Sequence, residues 1–377
     1  MPVRVREVSS PEDLESFLAL RPRLDREAGR IPPEPGLYAR FLSREANPYF
    51  AHADAGFLLA ERDGEVVGHV IAHIDQVLNE FQGNRWGLFG FFDAEDDQEV
   101  ADALFEAAAS WLGERGRDRM VGPLQFSTKD DLGLLVEGND LRPVILQPWH
   151  PPYYRTLVEG AGLGKVIDVV WRDLELDQIP QPLLDGAERW AGLASSRYGV
   201  TIRPLSEEEP EGDLERVFRF MRPIFETDWG YAPWTDRELA ESLGMAMQLV
   251  GPGTLIAELR GELIAASMLV PDFNQMFKIE NGQAVRSEDG IDQGRAMFMA
   301  VAPAYRHLGV MPALGHANLE CARRQGFSRL VIGWSFEDNE QMNRGMERLG
   351  LEVSRRHRIY SKELSPASPA REPATSE

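Results

Sequence analysis

Arg306, His307 and Gly309 lie in a stretch, 295–329, that reads as a strand, a short basic turn and a helix in immediate succession. Ala296 to Val301 carries Met, Phe, Ala and Val without a charge, as a strand buried on both faces does, and Pro303 ends it. Pro312 suits the first position of a helix, where its missing N–H costs nothing. Leu314, Ala317, Asn318, Cys321 and Ala322 then recur at helical spacing up to Arg323, Arg324 and Gly326. A helix opened by a glycine-bearing turn presents unpaired N–H groups and the positive end of its dipole, which suits a phosphate. Arg306 and His307 add positive charge at that point.

A second group is Glu226-Thr227-Asp228-Trp229-Gly230-Tyr231-Ala232-Pro233-Trp234, where aromatic residues, glycine and carboxylates crowd one loop. Trp229, Tyr231 and Trp234 could wall a pocket while Glu226 or Asp228 serves as general base. The same residues could equally pack a helix connection, with Asp228 as a cap. Glu280, in a loop read just before the central strand, is a further candidate base, weighed against an ordinary solvated glutamate. Cys321 reads as a core residue, and His69 and His73 share a strand face with no third ligand, so no metal site is expected.

The run Arg306-His307-Leu308-Gly309-Val310-Met311, between strand and helix, resembles the acyl-CoA pyrophosphate loop of the GNAT N-acetyltransferase superfamily. Met311 departs from that pattern, because a long side chain stands where the family has Gly or Ala. Leu330 to Ser335 reads as the next strand, Asn339 opens a helix and Gly350 follows it at the family's spacing, with a closing strand from Arg355 to Lys362. The family's usual tyrosine acid falls by this register on Met346. The resemblance implies that acetyl-CoA or another acyl-CoA is the co-substrate, held by Arg306, His307, Leu308, Gly309, Val310, Met311 and Asn339. It implies that Phe298, Met299, Ala300 and Val301 pair with the pantetheine amides. Asn339 reads equally as a helix N-cap.

With 377 residues the chain is too long for one ordinary core. Forty basic against sixty-one acidic residues give a formal charge of −21, which disfavours nucleic acid and anionic membranes. A single cysteine excludes an internal disulfide, and no apolar run approaches spanning length, so a cytoplasmic monomer or homodimer acting on a small molecule is expected.

An internal repeat organises the chain. Arg4 to Ser9 is echoed by Thr201 to Ser206, and Leu59 to Val67 by Ile256 to Ile264 at the same offset, with hairpin turns at Asp63-Gly64 and Arg260-Gly261. The halves differ after the central strand. There the first half carries Asp93-Ala94-Glu95-Asp96-Asp97-Gln98-Glu99, and carboxylates at a helix N-terminus repel phosphate. The expectation is two tandem GNAT-like α/β domains, each a mixed, largely antiparallel sheet flanked by helices. Residues 1–176 form the first, with a degenerate CoA loop; 177–199 are a linker and connecting helix; 200–364 form the second, with the acyl-CoA site. Residues 365–377 are read as a disordered tail. The function implied is CoA-dependent N-acyl transfer to a small amine or amino-acid-like acceptor. The alternatives are a catalytically silent ligand-binding protein and, disfavoured by the charge, an aminoacyl-tRNA-dependent transferase.

Overall fold

A computed structural model describes residues 2–364 except 29, 281 and 282. The tail 365–377 and the tip 281–282 after Glu280 lie outside the described residues.

The first half runs β1 (Arg4–Glu7), α1 (Pro11–Glu27), α2 (Pro35–Leu42), β2 (Ala53–Arg62), β3 (Glu65–Asp75), α3 (Gln76–Gln82), β4 (Trp86–Ala94), α4 (Gln98–Glu114), β5 (Arg119–Gly122), β6 (Leu134–Glu137), α5 (Tyr153–Gly160) and β7 (Gly164–Glu175). The connecting helix is α6 (Gln181–Tyr198). The second half runs β8 (Val200–Pro204), α7 (Pro210–Phe225), α8 (Asp236–Leu249), β9 (Thr254–Leu259), β10 (Glu262–Pro271), β11 (Phe277–Glu280), β12 (Gln283–Arg286), β13 (Gln293–Val301), α9 (Val310–Arg324), β14 (Arg329–Phe336), α10 (Glu340–Arg348) and β15 (Val353–Glu363).

Local chemistry explains the boundaries. Ser10 with Asp13 and Thr235 with Glu238 form reciprocal caps at the starts of α1 and α8. Both hairpin turns take positive φ at their two central residues, 54° and 86° at Asp63 and Gly64, 55° and 83° at Arg260 and Gly261. That geometry matches the twist of the strands it joins.

Among the described residues thirteen strands form one sheet in the order β1-β2-β3-β4-β5-β15-β7-β14-β13-β10-β9-β8, with β6 also paired to β15, and β11 and β12 form a separate two-stranded sheet. The repeated plan is therefore interleaved in space. β15, the last strand of the second half, lies between β5 and β7 of the first, and β7 carries the sheet onward to β14. Ile359 and Tyr360 of β15 are buried in the cores of the first half. The two halves thus complete each other's sheet.

A charged cluster also joins them. Glu238 of α8 lies 3.0 Å from Lys129 and 3.3 Å from His52, and the other nitrogen of His52 is 3.2 Å from Asp75. These carboxylates hold the His52 imidazolium up, to about 9, against the burial that lowers it. No described helix is long and apolar enough to cross a membrane.

Candidate active site

The central strands of the second half part like a wedge. β13 and β14 are paired in parallel only over Gln293 to Ala296 with Arg329 to Ile332. Beyond that point β13 stays on β10 and β14 stays on β7. The inner edge of β13 is then a row of backbone groups inside the protein without a strand partner, a situation that calls for another hydrogen-bonding chain. At the apex the register against β10 slips, so that Met268 faces Phe298 and Leu269 faces Ala296, and Met297 is the extra residue of a bulge. Phe298, Met299, Ala300 and Val301 line the cavity that fills the wedge.

The first half has the same wedge, but closed. β4 and β5 pair only over Trp86 to Leu88 with Arg119 to Val121, and the following segment folds into the gap. Leu124 N–H donates to Phe89 O at 2.8 Å, and Gly133 N–H to Pro123 O at 2.8 Å. A side chain at Gly90 would place Cβ 2.0 Å from Leu124 O, so the backbone fits only without one. The acidic run after β4 is tied to arginines: Arg21 to Asp93, Arg23 to Glu95, and Arg62 to Asp97 and Glu99. Tyr154, at the head of α5, donates to Asp93 at 3.0 Å and packs in the core. His69 meets Asp93 at 3.2 Å and His73 meets Tyr49 at 2.7 Å.

The candidate phosphate turn follows β13 as a 3-10 turn, Pro303–Leu308, and then Gly309 at φ 71°. The helix starts at Val310 rather than at Pro312, because the left-handed glycine already turns the chain. Pro312 is therefore its third residue, and Val310 and Met311 keep the free N–H groups. Leu308 and Val310 point into the core and can offer only backbone groups; His307 is exposed. Gly309 has a second reason to be glycine: a Cβ there would lie 2.2 Å from the ring of Trp190 on α6. Arg306 lines the cavity and reaches Val301 O and Gln341 Oε1, each at 3.3 Å. Across the wedge Asn339 caps α10, its Oδ1 accepting from Met342 N–H at 3.1 Å, and it also lines the cavity with Met346.

The aromatic loop after α7 walls the other side. Trp229 stacks on Trp86 of the first half at 5.6 Å and meets Phe336 edge-on at 6.1 Å. Tyr231 packs edge-on against Phe81 at 5.4 Å, and Trp234 packs on Phe218 at 5.7 Å. All three loop aromatics line the cavity, as does Asp228. Burial and then Asp338 push the Asp228 carboxyl up to about 6, which suits a base working near neutrality. Glu226 pairs with Arg222 at 3.5 Å and stands outside the cavity lining. Glu280 belongs to the outer strand β11, paired with Lys278 at 2.8 Å, and also stands outside it.

The cavity continues from the wedge into the first half and measures about 2990 Å³. Its far walls include Arg21, Asp93, Gln125, Asp131 and Gln147 of the first half, with Arg295 and Trp171 at the seam. Sequence reasoning did not bring these seven residues into the site. Of these Asp93 stood out in the sequence, as the first residue of the acidic run after the first half's central strand. Among the described residues no group of three His, Cys, Asp or Glu side chains converges as a metal would need.

A sequence profile described as "Acetyltransferase (GNAT) family" matches residues 214–351. The chain is 28% identical over 375 residues to "Bacterial ceramide synthase" of Caulobacter vibrioides, covering 95% of this chain and 96% of that protein. It is also 28% identical over 383 residues to "Protein YghO" of Escherichia coli K12, covering 96% and 95%. Among solved structures, a tandem GNAT protein from the clavulanic acid biosynthesis pathway superposes with a TM-score of 0.57 at 16% identity, over 97% of this chain and 100% of that one. A GCN5-related N-acetyltransferase from Sphaerobacter thermophilus gives 0.51 at 14% identity, over 97% of both chains. At those identities the superpositions speak for the fold alone. Residues 214–351 thus match the GNAT acetyltransferase profile, and the chain as a whole has the fold of the tandem GNAT protein it superposes on.

Proposed function

We propose that the protein transfers an acyl group from a long-chain acyl-CoA to the nitrogen of a long-chain amine, using the wedge of its second half. The observation that carries this reading is the size of the cavity. Small-molecule pockets are typically about 300–1,000 Å³, whereas this one holds about 2990 Å³ and has Met297, Phe298, Met299, Met311 and Met346 along its walls. Flexible methionines suit a lining that must fit an alkyl chain. Acetyl-CoA with a small amine leaves most of that space unused. The name of the Caulobacter relative points the same way, since a ceramide is the N-acyl derivative of a long-chain amino alcohol.

In this reading Arg306 and the N–H groups of Val310 and Met311 hold the pyrophosphate at the start of α9. The free edge of Phe298 to Val301 pairs with the pantetheine amides, which brings the thioester to the Met297 bulge. The amine nitrogen attacks the thioester carbon, the carbon–sulfur bond breaks, and the coenzyme leaves as a thiolate, which takes up the proton the nitrogen sheds on becoming an amide. Asp228 takes the proton that the ammonium must lose, either directly or through water. Met346 cannot protonate the leaving group, and a thiolate needs little such help.

Incubation of the protein with acyl-CoAs of two to eighteen carbons and a long-chain amine, followed by mass spectrometry of the products, tests this. Amide formation that rises with chain length supports the reading. Acyl-CoA binding without amide from any amine favours instead a silent binding protein, to which Met346, in the place of the family's tyrosine, already points.

A further inference from the structure

The helix that joins the two halves also reaches the turn at the mouth of the open wedge. α6 packs along α9, and its Ala191, Ala194 and Tyr198 belong to the core cluster that holds Val310, Ala313 and Leu314 of that helix. Leu183, Ala187 and Trp190 recur at helical spacing on another face of α6, and all three line the cavity. Trp190 ends this row at the phosphate turn. Its ring lies against the backbone of Gly309, where a Cβ would meet it at 2.2 Å, yet the residue is 41% exposed. The contact with Gly309 holds one part of the indole and leaves the rest open to the cavity.

The turn's own aromatic residue is engaged elsewhere: Tyr305 is drawn toward β10, where its hydroxyl donates to Glu262 at 2.7 Å. Arg306 in the turn and Arg348 in the last turn of α10 line the same cavity and bring positive charge to it. A ligand for this place has phosphate for the turn and, a short link away, a flat ring for the indole. An alkyl chain is served by any apolar wall and has no use for charge beside it. A purine nucleotide meets both demands, since its phosphate suits the start of α9 and its base has a π face that stacks on an indole. In a coenzyme A thioester a single ribose joins adenine to the pyrophosphate, so the base lies close to whatever holds the phosphates.

We infer that Trp190 is the stacking platform for the adenine of the coenzyme, which makes the connecting helix one wall of the coenzyme site. The inference rests on the proposed acyl-CoA site at Arg306, Val310 and Met311 and adds the residue that recognises the nucleotide end. It gives the segment read from the sequence as a linker a part in binding. It also ties that site to the joint between the halves, because α6 follows β7, the strand on which β14 and β15 both pair.

The test is calorimetric titration of wild type, Trp190→Leu and Trp190→Phe with a long-chain acyl-CoA and with the acyl-phosphopantetheine of the same chain, which lacks the adenosine. Leucine keeps an apolar side chain on Gly309 but has no π face, whereas phenylalanine keeps one. The stack predicts that Trp190→Leu loses about tenfold in affinity for the acyl-CoA and stays within about twofold for the acyl-phosphopantetheine, and that Trp190→Phe retains most of the acyl-CoA affinity. Equal losses for the two ligands in Trp190→Leu mean that the indole only supports the turn, and no loss means that adenine lies elsewhere; either result overturns the inference, as does a loss that Trp190→Phe shares in full. If wild type binds acyl-CoA but forms no amide, the transferase reading fails while these affinities still decide the stack. If wild type binds neither ligand, the reading and the inference fall together.

Discussion

The two wedges, β4 against β5 and β13 against β14, start from one plan and end as opposites. Both pairs part after a few residues, and both central strands carry a bulge near the parting point. In the first half the chain itself enters the gap, and Asp97 and Glu99 sit at the helix that follows. In the second half the gap stays open, and Arg306 with a glycine-opened helix stands at its mouth. A wedge with a free inner edge needs a ligand, whereas a filled wedge is a wall. Under the proposed function a repeated fold divides labour: one copy holds the acyl-CoA, and the other supplies the far side of the cavity.

The strongest way to break that comparison is to separate the copies. Removing β15, residues 353–363, should abolish cooperative unfolding of the whole protein rather than of one half. It strips the first half of Ile359 and Tyr360, each worth about 1.5–3 kcal/mol of burial, along with the pairing of three strands. A truncated chain whose first half still melts cooperatively, by circular dichroism, would contradict the interleaving.

The filled wedge comes next. Gly90→Ala should destabilise the protein by about 3 kcal/mol in a denaturant titration, because the obstructing atom is backbone oxygen and cannot rotate away. A change below about 1 kcal/mol would mean that the filling loop is loosely held.

In the open wedge, Asp228→Asn should lower kcat about 100-fold. In wild type the rate should rise with pH through about 6, since the base acts only when ionised. A flat profile between pH 5 and 7 would remove Asp228 from the proton path.

The smallest effect concerns the charged cluster between the halves. His52 is raised above its unfolded value, so its contribution is complete below that value and fades as pH rises through about 9. Stability should fall by about 1 kcal/mol over that interval, and Glu238→Gln should remove much of the slope. An unchanged slope in the variant would detach Glu238 from His52.

The parts of this structure that depend on neighbouring residues were legible in the sequence. Hairpin turns at Asp63-Gly64 and Arg260-Gly261, the glycine turn before α9, the N-cap role of Asn339 and the acidic end of β4 all follow from a few adjacent side chains. The start of α9 was read two residues late, because a proline favoured at helix starts is here preceded by a left-handed glycine. The exchange of last strands was not legible, since Tyr360 pairs with Gly122 across more than half the chain and both halves still show a complete order of elements. Arg295 only opens the stretch read as strand, turn and helix; its burial over the Trp171 ring, with Asp131 nearby, is set by the fold. The candidate bases Asp228 and Glu280 differ in whether the fold turns them into the cavity.

The most direct test of the central claim is calorimetric titration of the full chain with a long-chain acyl-CoA, on wild type, Arg306→Ala and Arg62→Ala. One site per chain is expected, with affinity weakened about tenfold by Arg306→Ala and unchanged by Arg62→Ala at the closed wedge. Two sites per chain, or binding that Arg62→Ala weakens and Arg306→Ala does not, would contradict it.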